Sequence, residues 1–272
     1  MKTAGPTKKR ARSYNASLSR REVRLLAEWE RERRRIVTLA DLRGLVGDAA
    51  SDVAWRLVRK KALERVGSGR YLVRPLRTLT RPTAPSAAVL AAALLQGEPY
   101  YLGGLWALTF HRLTEQQYAS ALDAFVARRH GSRRLGGARV AFHRVSPERL
   151  AQGSIAADIE GVPVRVSGPE RTLLDLLDVP ALAGGVGEAL RYVQQALPRV
   201  SVDALVEHAS QGSRTSTCQR LGLLLERAGA RPRQLAPLRR RTRSTKSMLS
   251  MNPAAPRRGP FNRRWLVVEN DA

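Results

Sequence analysis

Residues 51–61, Ser-Asp-Val-Ala-Trp-Arg-Leu-Val-Arg-Lys-Lys, carry the side chains suited to gripping a phosphodiester. Wound at the helical angle, Val53, Ala54, Leu57 and Val58 share one arc, and Asp52, Trp55, Arg56, Arg59 and Lys60 share the opposite one. The first arc is suited to packing on neighbouring helices. The second presents guanidinium and ammonium groups, which donate to phosphate oxygens or, for arginine, bidentately to guanine in a major groove. Trp55, Arg56, Arg59 and Lys60 are the expected groove contacts. Ser51, expected to cap the helix, can hold a phosphate together with the first N–H groups. Lys61 and Arg70 are expected to touch phosphates or a neighbouring groove. Trp55 has two open readings: stacking on a sugar or base, or covering the edge of the following hairpin. A merely solvated basic face has the same composition.

Other chemistry finds less support. His111, His130, His143 and His208 are widely spaced and form no close ligand pair. His111 and His143 lie among apolar residues and read as structural. No phosphate-binding glycine loop and no nucleophile-elbow motif occurs, and Gly184-Gly185-Val186-Gly187 lacks the following Lys and Ser/Thr that a phosphate loop needs. Asp158 and Glu160 stand too close to Gly153-Ser154 for a nucleotidyltransferase motif. Glu170, Asp175 and Asp178 read as a helix surface with salt bridges, because Arg171 stands four residues before Asp175. Cys218, the only cysteine, sits in an apolar helix and reads as core. No catalytic residue, metal or cofactor is expected.

The binding residues need elements to hold them. Residues 19–34 fit a helix, with Leu18, Leu25, Leu26 and Trp29 on one face. Ile36-Val37 is a short connecting strand. Thr38 caps a helix over 39–46, with Asp41 as its capping-box partner, and Gly47-Asp48 ends it. Strands over 63–66 and 70–73 flank the turn Gly67-Ser68-Gly69. Three helices and a glycine-turned hairpin in this order make a winged helix-turn-helix. Pro75, Pro82 and Pro85 mark a linker. Beyond it, helices are expected at 86–96, 104–112, 169–178, 187–197, 202–209 and 213–228. Strands are expected near 123–128, 138–145, 162–166 and 265–268.

The charge is distributed unevenly. The chain has 272 residues, 48 Lys+Arg and 23 Asp+Glu, a formal net charge of +25. Residues 1–80 carry net +13, residues 81–230 net +3 and residues 231–272 net +9. Net charge of this size speaks to polyanionic partners rather than to fold. Residues 1–17, with Lys8, Lys9 and Arg10, are expected to form a disordered basic arm. The longest apolar run, 87–95, is too short to cross a membrane, which takes about 20 residues. No signal-peptide stretch is present and a single cysteine allows no internal disulfide. A cytoplasmic protein with no membrane partner is expected.

Several stretches then stand together. They are Tyr100-Tyr101-Leu102-Gly103-Gly104-Leu105-Trp106-Ala107-Leu108, His111-Arg112-Leu113-Thr114-Glu115-Gln116, Glu160-Gly161-Val162-Pro163-Val164, Pro169-Glu170-Arg171-Thr172-Leu173-Leu174-Asp175, residues 180–185 and Arg220-Leu221-Gly222-x-Leu224-Leu225-Glu226. Behind Leu63-Glu64-Arg65-Val66-Gly67-x-Gly69-x-Tyr71, they resemble the AbiEi family over about residues 20–270. These are antitoxins and transcriptional regulators of type IV toxin–antitoxin (abortive infection) systems. The resemblance implies a winged helix that binds the operon's own promoter, as double-stranded DNA, and represses it. It also implies a C-terminal domain that opposes a cognate nucleotidyltransferase toxin without a tight complex. The basic arm and the run Arg239-Arg240-Arg241-x-Arg243 depart from the family pattern.

The expected fold is α+β: a basic arm at 1–17, a winged helix at 18–76, a linker at 77–85 and a larger mixed α/β antitoxin-like domain at 86–272. The alternative is a stand-alone winged-helix regulator whose second domain senses a ligand or contacts RNA.

Overall fold

The computed structural model describes residues 18–76, 79 and 84–271. The chain divides into two units, Met1–Ala84 and Pro85–Ala272. The expected arm at 1–17 and most of the expected linker at 77–85 lie outside the described residues.

The first unit starts with α1, Arg20–Arg31. Ser19 and Glu22 form a reciprocal capping box that satisfies two otherwise orphaned N–H groups. β1, Ile36–Thr38, leads into α2, Leu39–Val46, where Thr38 and Asp41 repeat the capping box. A 3-10 turn over Gly47–Ala49 runs directly into α3, Ala50–Arg59. β2, Leu63–Gly67, and β3, Arg70–Val73, follow. The sheet order is β1-β3-β2, antiparallel throughout. Leu26, Trp29, Val37, Leu42, Ala54 and Leu57 are almost wholly buried and pack in one core with Tyr71 and Val73 of the sheet.

The second unit opens with α4, Ala87–Leu94, an Ala/Leu helix buried on nearly every side. β4, Tyr100–Gly103, is followed by α5, Gly104–Phe110, then β5, Ala121–Val126. β6, Arg133–Leu135, and β7, Ala138–Arg144, form a hairpin, and α6, Pro147–Ala151, follows. β8, Ser154–Ile159, and β9, Val162–Ser167, form another. These six strands make one mixed sheet in the order β6-β7-β5-β4-β9-β8. The pairs β5/β7 and β4/β9 are parallel and the other pairs antiparallel.

Helices fill the remainder: α7, Pro169–Asp178, α8, Val186–Ala196, α9, Val202–Gly212, α10, Thr215–Arg227, and α11, Pro232–Thr242. A small sheet of β10, Leu249–Ser250, β11, Phe261–Asn262, and β12, Val267–Val268, closes the unit. The largest core lies among α7 to α11 and includes Cys218 and Trp265. The Trp265 ring lies so close to α10 that a Cβ at Gly222 would come within 2.2 Å of it. Only glycine fits there.

The chain is therefore an α+β protein. Among the described residues, no helix is long and apolar enough to cross a membrane.

Candidate nucleic-acid interface

The geometry of α3 follows from its two arcs. Val53, Ala54 and Leu57 are buried and Val58 is half-buried, while Asp52, Trp55, Arg56 and Arg59 are exposed. Trp55 keeps 59% of its surface open to solvent, far more than a large aromatic retains when it covers a hairpin edge. The Arg59 guanidinium carbon lies 4.7 Å from the centroid of the Trp55 ring. The two side chains form a cation–π pair on the outer face of the helix. A guanidinium on an exposed indole keeps N–H donors for a phosphate or base edge, and the ring keeps a face for a sugar or base. Arg56 is about half exposed, and its Nε is 3.8 Å from Glu22.

Two expectations need correction. Ser51 is not the helix cap. The 3-10 turn continues into α3, the cap position is Ala49, and no side chain caps it. Ser51 instead sits exposed in the first helical turn. Lys60 is not an open groove contact either. It is the C-cap of α3, and its ammonium donates to Glu22 Oε2 at 2.6 Å. Glu22 is 5% exposed. Burial would raise its carboxyl, but Lys60 and the Ser19 N–H and hydroxyl outweigh burial and hold it below its ordinary value. Lys60 therefore joins α3 to α1. The Ser19-x-x-Glu22 pattern signals the cap in the sequence, but nothing local signals the Lys60 partner.

Lys61 stands exposed just past the helix with φ of 58°, which turns the chain into β2. Arg70 is half-buried at the first position of β3, paired in register with Thr38 on one side and Gly67 on the other. It flanks the Ser68-Gly69 turn rather than forming its tip.

In the second unit, Asp175 and Asp178, read as part of a helix surface, are buried, while Glu170 is half-buried and accepts from the Ser201 N–H. Arg171, Asp175 and Asp178 are each at most 1% exposed. The expected Arg171–Asp175 pair forms at 2.7 Å. Arg149, from α6, completes the cluster at 2.7 Å from Asp175 and 3.0 Å from Asp178. The Ser213 hydroxyl and the Arg214 N–H also donate to Asp178. Two cations and two anions balance, so the cluster is a buried tie among α6, α7 and the start of α10. His111 Nε2 meets the Ser167 carbonyl at 2.6 Å and His143 Nε2 meets Asp123 at 2.7 Å, both structural contacts. Cys218 is fully buried, and burial, with Asp178 nearby, pushes its thiol up to about 11. Among the described residues, no group of three or more His, Cys, Asp and Glu is placed to hold a metal ion.

No family model matches the chain, and no curated protein matches it. Among solved structures, the crystal structure of the RV2827C protein from Mycobacterium tuberculosis is similar, with a TM-score of 0.59 and 18% identity over 90% of each chain. The likeness is one of fold.

Proposed function

We propose that the first unit is a winged helix-turn-helix that binds double-stranded DNA at the chain's own promoter and represses its transcription. α3 is the recognition helix in this reading, and the β2–β3 hairpin is the wing. The observation that carries it is the exposed Trp55–Arg59 pair on the outer arc of a helix whose other arc packs on the core through Val53, Ala54 and Leu57. A guanidinium lying on an exposed indole offers charge-bearing donors and a stacking face side by side, the pairing a nucleic-acid contact uses. Arg56 and Arg59 contact bases or phosphates, Trp55 stacks, and Ser51, Lys61 and Arg70 contact the backbone. Lys60 holds the helix in place. The order of helices and strands and the net +13 of residues 1–80 support the same reading.

The resemblance to AbiEi proteins extends the proposal. In that reading the chain is an antitoxin, and its second unit counteracts a nucleotidyltransferase toxin encoded beside it. Co-expression tests this part: the chain should rescue growth of cells expressing the neighbouring nucleotidyltransferase. Mobility shift with duplex from upstream of the coding sequence, against scrambled duplex of equal length, tests the first part. Equal affinity for both would reject the repressor.

A further inference from the structure

The second unit has a groove of about 600 Å³ between α11 and the turn that joins β11 to β12. Arg239, Arg240 and Arg243 line it from the helix side and Arg263 from the turn. All four are exposed, and none has an ion-pair partner among the described residues. Arg264, beside them, is already paired with Glu226. The buried Trp265 and the half-buried Leu266 form part of the wall. Trp265 is fixed by Gly222 packing and by its own indole N–H, which donates to Glu226. The wall is thus held by the core of the unit.

Cations in the last turn of a helix complement its dipole. That accounts for one or two arginines on α11, but not for Arg263 facing them across the groove. Four like charges around one hollow repel one another until an anion enters. Guanidinium forks match phosphate oxygens bidentately. A terminal phosphate carries up to about two negative charges near neutral pH, and a chain of phosphates carries more.

The basic lining is also bounded. Arg240 is shared with the next hollow, on the α9 side of α11, where Asp203 and Glu207 stand among Arg231 and Arg233. A nucleic-acid strand continuing that way would meet carboxylates. The volume lies within the range of small-molecule sites, about 300–1,000 Å³. We propose that this groove binds a short phosphate chain, either that of a nucleoside triphosphate or a free inorganic oligophosphate.

Calorimetric titration of the full chain near physiological ionic strength tests the proposal. The probes are ATP, inorganic tripolyphosphate, adenosine and a single-stranded RNA. The expected result is saturable one-to-one binding of ATP and tripolyphosphate, with none for adenosine. ATP binding at least about tenfold tighter than tripolyphosphate assigns a nucleotide, and equal affinities assign the free oligophosphate. Arg239→Ala combined with Arg243→Ala should weaken binding by about ten- to a hundredfold. Arg263→Ala, on the other wall, should weaken it too, and it leaves α11 intact. Arg56→Ala combined with Arg59→Ala should change nothing, which separates this site from the proposed DNA surface. Three results would overturn the proposal. They are no saturable binding, equal loss in the α3 and α11 variants, or RNA bound at the groove while the triphosphates are not.

Discussion

The Lys60 ammonium lies 2.6 Å from the Glu22 carboxylate, tying the end of α3 to the first turn of α1. Glu22 is thereby shared between two tasks: it completes the capping box with Ser19, and it ties the end of α3 to α1. The helix that carries Trp55 and Arg59 is thus anchored at its far end by an ion pair largely screened from solvent.

Removing the cation should leave a buried carboxylate unpaired. Lys60→Met is expected to destabilise the first unit by about 2 kcal/mol, less than the 3–5 kcal/mol of a fully buried pair because Lys60 is partly exposed. Urea unfolding followed by far-UV circular dichroism measures this. An unchanged midpoint would mean the pair contributes nothing.

The same pair sets an acid limit. Glu22 is held below its ordinary value of 4.5 in the folded state. Its contribution is complete above that ordinary value and is lost as pH falls through the depressed one. Glu22→Gln should lower stability at neutral pH and flatten the acid limb of the stability curve below about pH 4.5. A mutant curve parallel to the wild type would contradict this.

The buried cluster in the second unit predicts a larger effect. Asp175 accepts from both Arg171 and Arg149 and is 0% exposed. Asp175→Asn removes the charge that both cations face and should cost about 3–5 kcal/mol. Arg149→Met leaves Arg171 beside Asp175 but Asp178 without a cation, and should cost a comparable amount. Equilibrium unfolding read at a second-unit probe measures both variants, and an unchanged midpoint for either would reject the cluster as a stabilising tie.

Gly222→Ala places a methyl group where the Trp265 ring already lies. The ring must shift, at a cost of about 1–3 kcal/mol. Because Trp265 also forms part of the groove wall, the change should appear both in tryptophan fluorescence and in thermal unfolding. An unaltered spectrum and midpoint would show that the ring has room to move.

Much of the first unit is legible in its sequence because its signals are local. Ser19-x-x-Glu22 and Thr38-x-x-Asp41 are capping boxes in the structure, and the glycine turn produces the β2–β3 hairpin. The division of α3 into a packed and an open arc also holds. Ser51 misleads because Ala49 and Ala50 continue a 3-10 turn into the helix, which leaves no capping position for it. Lys60 misleads because its partner lies 38 residues away.

The second unit is less legible. α7 is bounded as its sequence suggests, yet Arg171, Asp175 and Asp178 are buried, with Arg149 reaching them from a separate helix. β4 and β8 escape a local reading: the first is only four residues long, and the second, Ser-Ile-Ala-Ala-Asp-Ile, lacks clear alternation. α11 escapes it because Pro237 and a dense arginine run suggest irregular chain. The helix persists because Leu235 and Leu238 are buried in the core.

α3 is proposed to read DNA through Trp55 and Arg59. The most direct measurement is binding to upstream duplex and to scrambled duplex across a salt series, for the wild type and for Trp55→Ala and Arg59→Ala. The expected result is a preference for upstream duplex of about a thousandfold or more that persists as salt rises. Each substitution should reduce that preference by about 1–3 kcal/mol while leaving the unfolding midpoint unchanged. Equal, steeply salt-dependent binding to both duplexes, unaffected by either substitution, would contradict it and leave net charge alone as the source of association.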